Sequence, residues 1–436
     1  MNKKIIGLGI LILFSGTFLY AQDTIPVSKS QVLQKVIEGN LQIKIAEKNA
    51  QAAKADYKQA QSLFLPNINT SYSGISTTNP LMAFGSKLNQ EILTMADFNP
   101  DLLNNPAKTQ NFSTVIEIQQ PLINIDGYYG RKAAKAKYEA YQLQTERTKE
   151  YLQLEVTKAY MQLQLAYNAV TVLQKAENTA KTNLKLIENY FKNGMVQKTD
   201  ILNVQVRVND VTNQLQYAKS NVKNASDYLM FLLNEDMNGK IYKPAELFDT
   251  TFSNHTFLEF SKSRKDFLAL EKSNEAYQNM IQSNKFSLLP RLNAFGNYQL
   301  FDSKFLGTAA KGYLVGAQLS WNLFDGLKTY GKIDKAKAES QKAVLEAEQY
   351  KKQSELEFNK TNRQLLDAQN KVSLAQLALQ QSQEAYRIRQ NRFSQGLEKT
   401  TDLLQSETLQ YQKELEYQQA LFEYNFLSQY LQFLSN

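Results

Sequence analysis

The sequence predicts a membrane protein whose subunits pair long α-helices capped by β-strands, in a module that occurs twice along the chain. Three observations indicate this fold. A helix–turn–helix motif recurs in residues 191–202 and 393–404, apolar residues form coiled-coil seams, and other segments alternate polar and apolar residues as strands do. A chain of 436 residues is long enough to hold such a module twice.

The recurring motif has a Phe three residues before a Gly, and Thr-Asp-hydrophobic-Leu follows at the same distance in both copies. A Gly just past the end of a helix supplies the left-handed cap. Thr-Asp at the start of the next helix supplies a side-chain acceptor, and a negative charge at the helix's positive end. We therefore predict two hairpin tips, at 194–199 and 394–400.

Long helical patterns flank both tips. Residues 127–193 contain no Pro, and as one helix they would be on the order of 100 Å long. Their apolar seam alternates spacings of four and three and is interrupted at Glu177, while a second stripe indicates a second neighbour. The predicted helices are 31–64, 127–193 and 200–233 in the first half, and 263–287, 327–393 and 401–434 in the second. In the first half the two shorter helices together match the length of the long one.

Strands are predicted at 65–76, 111–121, 289–301 and 312–323. Residues 112–118 and 313–323 alternate in the way expected for an apolar outer and a polar inner face. Four strands cannot close a transmembrane barrel, since the smallest have about eight, and strand edges in lipid must be paired. The strands would then be shared between subunits, with eight in a dimer or twelve in a trimer. An ordinary sheet with one solvated face is the alternative.

The N-terminus predicts export. Lys3 and Lys4 precede an apolar stretch at 5–13, and Ala21 ends a plausible cleavage site, so residues 1–21 form a predicted signal peptide. An N-terminal membrane anchor is the alternative reading, although the apolar stretch is short for a span.

Composition argues against an enzyme and against a resident cofactor or metal. The chain has no Cys and a single His, His255, which removes thiol chemistry and most His-based chemistry and metal ligation. The sequence has neither a Gly-rich phosphate loop nor an acidic cluster. The net charge of +8 is the excess of 50 Lys and Arg over 42 Asp and Glu. These charges are scattered along helical patterns as Lys and Glu, which indicates solvated faces rather than a nucleic-acid site.

These elements divide the chain into a first repeat at 22–233, a linker at 234–262 and a second repeat at 263–436. The linker interrupts the helical pattern with Asn-Gly and Pro. Residues 79–110 connect the first two strands and are predicted to be a surface loop, with room for a short helix. This loop would either cover the mouth of the barrel as a lid or decorate the surface, and the second role is favoured because long outer loops are common.

Taken in order, these features resemble the outer-membrane efflux protein family, the TolC-like exit ducts of Gram-negative bacteria. The resemblance covers nearly the whole predicted mature chain. It is carried by the two tips and the strand-to-helix junctions: Tyr190-Phe-Lys-Asn-Gly194 with Thr199-Asp200, Phe393-Ser-Gln-Gly396 with Thr401-Asp402, Gln120-Pro121-Leu122, and Trp321-Asn-Leu-Phe-Asp-Gly326.

The resemblance implies a membrane β-barrel plus an α-helical barrel. Three identical chains would share a twelve-stranded barrel in the outer membrane, in contact with its lipid, and a twelve-helix tube in the periplasm. Such ducts conduct substrates passively, and they join an inner-membrane pump through a periplasmic adaptor in tripartite efflux or type I secretion systems. The alternative is a secreted coiled-coil scaffold or adaptor in the periplasm, without a pore.

The resemblance also implies where the site lies, because in the family the tube narrows and meets the adaptor at the tips. Candidate docking residues are Gly194, Thr199, Asp200, Phe393, Gly396, Glu398 and Thr401. In the family, acidic residues after the second tip ring the pore; Asp402 matches the first of these positions and Gln405 stands at the second. Glu398 and Phe393 occupy positions where the type member has the Arg and Tyr that hold its tip closed, so the closing network must differ.

Two roles are open for the tip aspartates. Three-fold symmetry would bring three Asp402 carboxylates together in a narrow pore, where they would attract cations and repel anions. The other role is stabilisation of a helix N-terminus. This second role is favoured for Asp200, whereas both remain open for Asp402.

Overall fold

A computed structural model describes residues 24–246, 248 and 259–436. The predicted signal peptide, His255 and part of the predicted linker lie outside these residues. The described chain divides into two compact units. The first holds the described residues within 1–41, 151–258 and 360–433, and the second holds those within 42–150, 259–359 and 434–436.

Helices dominate the described chain. They are α1 (Lys29–Gly39), α2 (Leu41–Gln61), α3 (Pro80–Asn89), α4 (Pro100–Asn104), α5 (Ile125–Lys192), α6 (Lys198–Leu233), α7 (Lys265–Phe286), α8 (Lys328–Ser394) and α9 (Thr400–Ser435). Among the helices of these described residues, none combines the length and the apolar character needed to cross a membrane.

The helix predicted as one element at 31–64 is divided between α1 and α2. At Asn40 the backbone turns to an extended conformation, with φ −63° and ψ 130°. The Asn40 side chain donates a hydrogen bond to the Leu232 carbonyl oxygen at 2.7 Å. A Cβ on Gly39 would lie 2.6 Å from the Leu233 carbonyl oxygen, so only Gly permits this close approach. The break therefore fixes the end of α1 against the end of α6.

The second unit contains a four-stranded antiparallel sheet. Its strands lie side by side in the order β2 (Asn67–Thr77), β3 (Thr109–Ile123), β5 (Arg291–Asp302) and β6 (Ala310–Ser320). One transverse row of the sheet runs Thr70, Ile116, Tyr298 and Tyr313, and the adjacent row runs Asn69, Glu117, Asn297 and Leu314. Since side chains alternate along a strand, these two rows point to opposite faces of the sheet.

The segment predicted as a loop at 79–110 holds α3, a 3₁₀ turn at Met95–Phe98, and α4. Asn79 caps α3 by accepting a hydrogen bond from the Met82 N–H at 3.2 Å. Gln90, just past α3, donates hydrogen bonds of 2.8 Å to the Gln110 carbonyl oxygen and the Asn111 side chain. The connection is therefore an ordered helical insert held against the start of β3.

A parallel pair of short strands, β1 (Thr24–Val27) and β4 (Ile241–Pro244), lies in the first unit and was not predicted. β4 falls inside the predicted linker. Its Tyr242 N–H donates to the Ser226 hydroxyl on α6 at 2.8 Å, and the Tyr242 side chain is buried. Strands of four residues are too short for alternation to reveal, which is why the sequence pattern missed them.

Candidate functional site at the hairpin tips

The two tips share one backbone geometry, set by a Gly with positive φ: 72° at Gly194 and 74° at Gly396. In the first tip, the Gly194 N–H donates to the Phe191 carbonyl oxygen and the Met195 N–H to that of Tyr190, both at 2.9 Å. The equivalent residues of the second tip repeat these bonds at 3.0 and 2.9 Å. This is the Schellman arrangement, which satisfies the last carbonyls of a helix through a left-handed residue.

The tips pack on each other through an apolar core. Its buried members are Ile187, Val204, Tyr386, Phe393 and Leu403. The rings of Tyr190 and Phe393 lie 5.6 Å apart, and the Tyr190 hydroxyl donates to the Ser394 carbonyl oxygen at 3.2 Å. Phe393 is 3% exposed, whereas its counterpart Phe191 is 41% exposed. The second tip is thus anchored by its Phe, while the Phe of the first tip lies at the surface.

Asp200 serves the start of α6. Its carboxylate accepts a hydrogen bond from the Gln197 N–H at 2.9 Å, in the manner of a capping box. This contact satisfies one of the N–H groups that have no hydrogen-bond partner within the helix at its N-terminus. The contact supports the helix-end role for Asp200, and the adjacent Thr199 is exposed.

The second tip carries an ion-pair network centred on Glu398. This carboxylate accepts from Arg389 Nη1 at 3.2 Å and from Arg392 Nε at 2.9 Å. Arg392 also donates to the Leu397 carbonyl oxygen at 3.3 Å. Asp402 lies beside the network, with its Oδ2 4.0 Å from Arg389 Nη1. Glu398, which stands where the resemblance places an Arg, is therefore held by arginines from α8.

The remaining candidates of the second tip are Gly396, Thr401 and Gln405, and all three are exposed. Gln405 follows Asp402 by three residues along α9, so the two side chains share one side of the helix. Asp402 itself is partly exposed and lies in the first turn of α9.

The sequence patterns missed a buried polar cluster around Glu407, which stands two residues after Gln405. Glu407 is fully buried and accepts from Asn183 Nδ2 at 2.6 Å and from Arg207 Nε at 3.3 Å. Asn183 also donates to the Tyr386 hydroxyl at 3.5 Å. Burial raises the pKa of Glu407 above its ordinary value, against the opposing pull of Arg207 and Asn183. The cluster joins α5, α6, α8 and α9.

A charged residue inside an apolar seam is the signal that reveals such sites. Glu407 sits between the buried Leu403 and Tyr411 at intervals of four residues, and Glu177 interrupts the seam of α5 in the same way. Glu177 accepts from the Thr212 hydroxyl at 3.0 Å and pairs with Lys181 at 3.0 Å. These contacts, chiefly that to Lys181, lower the pKa of Glu177.

Comparison with known proteins places the chain among outer-membrane proteins. The profile of one family, described as outer membrane efflux protein, matches residues 32–235 and 259–432, which extend over most of both predicted repeats. No curated protein matches the sequence.

Solved structures share the fold at low sequence identity. Crystal structures of CusC superpose with a TM-score of 0.80 at 14% identity, covering 94% of this chain and 92% of that one. The outer membrane protein VceC of Vibrio cholerae gives 0.78 at 14% identity, with 94% and 96% covered. The open state of the MtrE outer membrane channel of Neisseria gonorrhoeae gives 0.76 at 15% identity, with 94% and 89% covered.

Proposed function

The chain belongs to the outer membrane efflux protein family, and we propose that it is the exit duct of an efflux system, located in the outer membrane and extending into the periplasm. The observation that carries this function is the family match over both repeats, 32–235 and 259–432. The family is one of channels rather than enzymes, so the protein conducts substrates passively. The resemblance inferred from the tip motifs is thereby confirmed.

The proposed assembly is a homotrimer with a twelve-stranded barrel in the outer membrane and a helical tube in the periplasm. In the described sheet β2 and β6 are the outer strands, so each has one edge without a partner strand in this chain. Lipid cannot hydrogen-bond such edges, and about eight strands is the least that closes a barrel. Pairing β2 of one copy with β6 of the next satisfies both requirements, and three copies supply twelve strands.

The two faces of the sheet support a barrel with an apolar outer face and a polar inner face. The row through Thr70, Ile116, Tyr298 and Tyr313 is largely apolar and aromatic, and Tyr313 is 79% exposed in the single chain. The adjacent row, on the opposite face, carries the polar Asn69, Glu117 and Asn297 on three strands and Leu314 on β6. An apolar face toward lipid and a polar face toward a channel is the pattern of outer-membrane barrels.

The proposed partners are a periplasmic adaptor and an inner-membrane pump, with the adaptor docking at the hairpin tips. Candidate contacts are Gly194, Thr199 and Asp200 in the first tip and Phe393, Gly396, Glu398 and Thr401 in the second. Phe393 is buried, so it would support the docking surface from beneath, while the exposed candidates would meet the adaptor directly.

Conductance and location test the function. We expect the protein in the outer-membrane fraction, and we expect the purified protein to form ion-conducting channels in planar lipid bilayers. Recovery as a soluble periplasmic monomer without conductance would contradict the proposal and favour the pore-less scaffold.

Cysteine cross-linking tests the trimer, because the chain contains no Cys. A Thr70→Cys variant on β2 is combined with single Cys substitutions along 310–320 on β6, and we expect oxidation to link copies into trimers at one register. Ser73→Cys with Ser113→Cys is the control, since these hydroxyls lie 2.8 Å apart within one chain and should link without forming oligomers. Absence of linked copies at every β6 position would overturn the shared barrel.

A further inference from the structure

We propose that Arg389 sets the ion selectivity of the pore at the second tip by neutralising Asp402. This inference rests on the proposed function, since it requires that the tips line a pore. It goes beyond the acidic-ring prediction, which treated Asp402 as an isolated carboxylate.

Arg389 lies between two carboxylates. Its Nη1 is 3.2 Å from Glu398 Oε1 and 4.0 Å from Asp402 Oδ2. Arg392 occupies the other oxygen of Glu398 through its Nε at 2.9 Å. Because Arg392 also pairs with Glu398, the positive charge of Arg389 is shared between Glu398 and Asp402.

The network as a whole is balanced. It holds two guanidinium groups, on Arg389 and Arg392, and two carboxylates, on Glu398 and Asp402. In a three-fold assembly this balance would be repeated in each subunit around the pore. Such a ring attracts cations far less than three uncompensated aspartates would.

Because Arg389 and Asp402 are both partly exposed, the strength of their ion pair depends on the salt concentration. Arg389 and Asp402 are 42% and 39% exposed, respectively, whereas Glu398 is 15% exposed. Water and ions screen exposed charges far more than buried ones. The Arg389–Asp402 pair is therefore the weak member of the network, while the two arginines hold Glu398 firmly.

A purely structural role for Arg389 would be to brace the turn by binding Glu398. Loss of such a brace would alter stability or open probability without changing the sign of the charge that permeating ions meet. Ion selectivity therefore separates the two roles. Arg387 offers a matched control, because it stands two residues earlier on α8 and pairs with Glu384 at 2.6 Å, away from the network.

The test measures reversal potentials of single channels in a KCl gradient across planar bilayers. We expect Arg389→Gln to shift the reversal potential toward cation preference and Asp402→Asn to shift it toward anion preference. The double variant should lie near the wild type, and Arg389→Lys, which keeps the charge, should restore wild-type selectivity. The shift in Arg389→Gln should shrink as the salt concentration rises.

The outcomes separate this inference from the function on which it rests. If the wild type forms no channels, the proposed function fails. If the wild type conducts but Arg389→Gln behaves like Arg387→Gln, the pore stands and the selectivity role of Arg389 is overturned. A shift in Asp402→Asn alone would leave Asp402 in the pore ring and remove Arg389 from it.

Discussion

The two hairpin tips share a sequence motif and a backbone turn, yet they use their equivalent side chains differently. Asp200 accepts the Gln197 N–H at the start of α6, whereas Asp402 lies 4.0 Å from the Arg389 guanidinium. Phe191 is largely exposed, while Phe393 is buried against Tyr190. The motif therefore determines how the chain turns, and the residues packed around it determine what each side chain does.

The largest expected difference between the tips is at the two phenylalanines. Phe393→Ala should lower the local stability of the tips by about 3–5 kcal/mol, because it empties a buried site between both hairpins. Phe191→Ala should cost about 0.5 kcal/mol, as an exposed substitution does. Hydrogen exchange of the amides in 186–197 and 388–400, followed by mass spectrometry, measures both. Equal losses in the two variants would show that the tips are not packed asymmetrically.

A second difference lies five residues after each aspartate, where the first repeat has the exposed Gln205 and the second has the buried Glu407. Arg207→Met removes the cation that faces Glu407 and should cost about 1–3 kcal/mol of local stability, since a buried carboxylate loses a partner. Combining it with Glu407→Gln should recover part of that loss. The double-mutant comparison, again by hydrogen exchange, measures the coupling.

Glu407 should also make the stability of the tips depend on pH. Its pKa in the folded state is raised above the ordinary value of 4.5 by burial, so folding favours the protonated form. The stabilisation is fully present below pH 4.5 and is lost as pH rises through the raised pKa. Glu407→Gln should remove this slope. A wild type and a variant with parallel pH profiles would exclude Glu407 as the group responsible.

The sequence separation of the residues involved explains which features of the tips were predictable from the sequence. Both turns were predictable from Gly194 and Gly396, because a left-handed turn after a helix depends on residues that are adjacent in the sequence. The ion pairs depend instead on residues that are separated in the sequence. Arg389 meets Glu398 across nine positions, and Arg207 meets Glu407 across two hundred. Such contacts exist only once the helices pack, so the family resemblance singled out Asp402 and Glu398 as candidates without indicating their partners.

The same reasoning explains the elements that the pattern misplaced. The break at Asn40 depends on the carbonyl groups of Leu232 and Leu233, which belong to the distant end of α6. The seam spacing of residues 31–64 continues through Gly39 without interruption, and the sequence pattern therefore predicts one helix there. β4 likewise acquires its partner from residues 24–27, far away in the sequence. In both cases tertiary contacts, rather than the local sequence pattern, determine the secondary structure.

The smallest expected difference concerns how much Asp200 and Asp402 stabilise the first turns of α6 and α9. Asp200→Ala should destabilise the first turn of α6 by about 1 kcal/mol, because it removes the acceptor for the Gln197 N–H. Asp402→Ala should cost α9 about 0.5 kcal/mol, mainly by removing negative charge from the helix N-terminus. Hydrogen exchange at 198–203 and 400–405 compares them. A larger loss at α9 would mean that Asp402 also acts as a cap, and the division of roles between the tips would then fail.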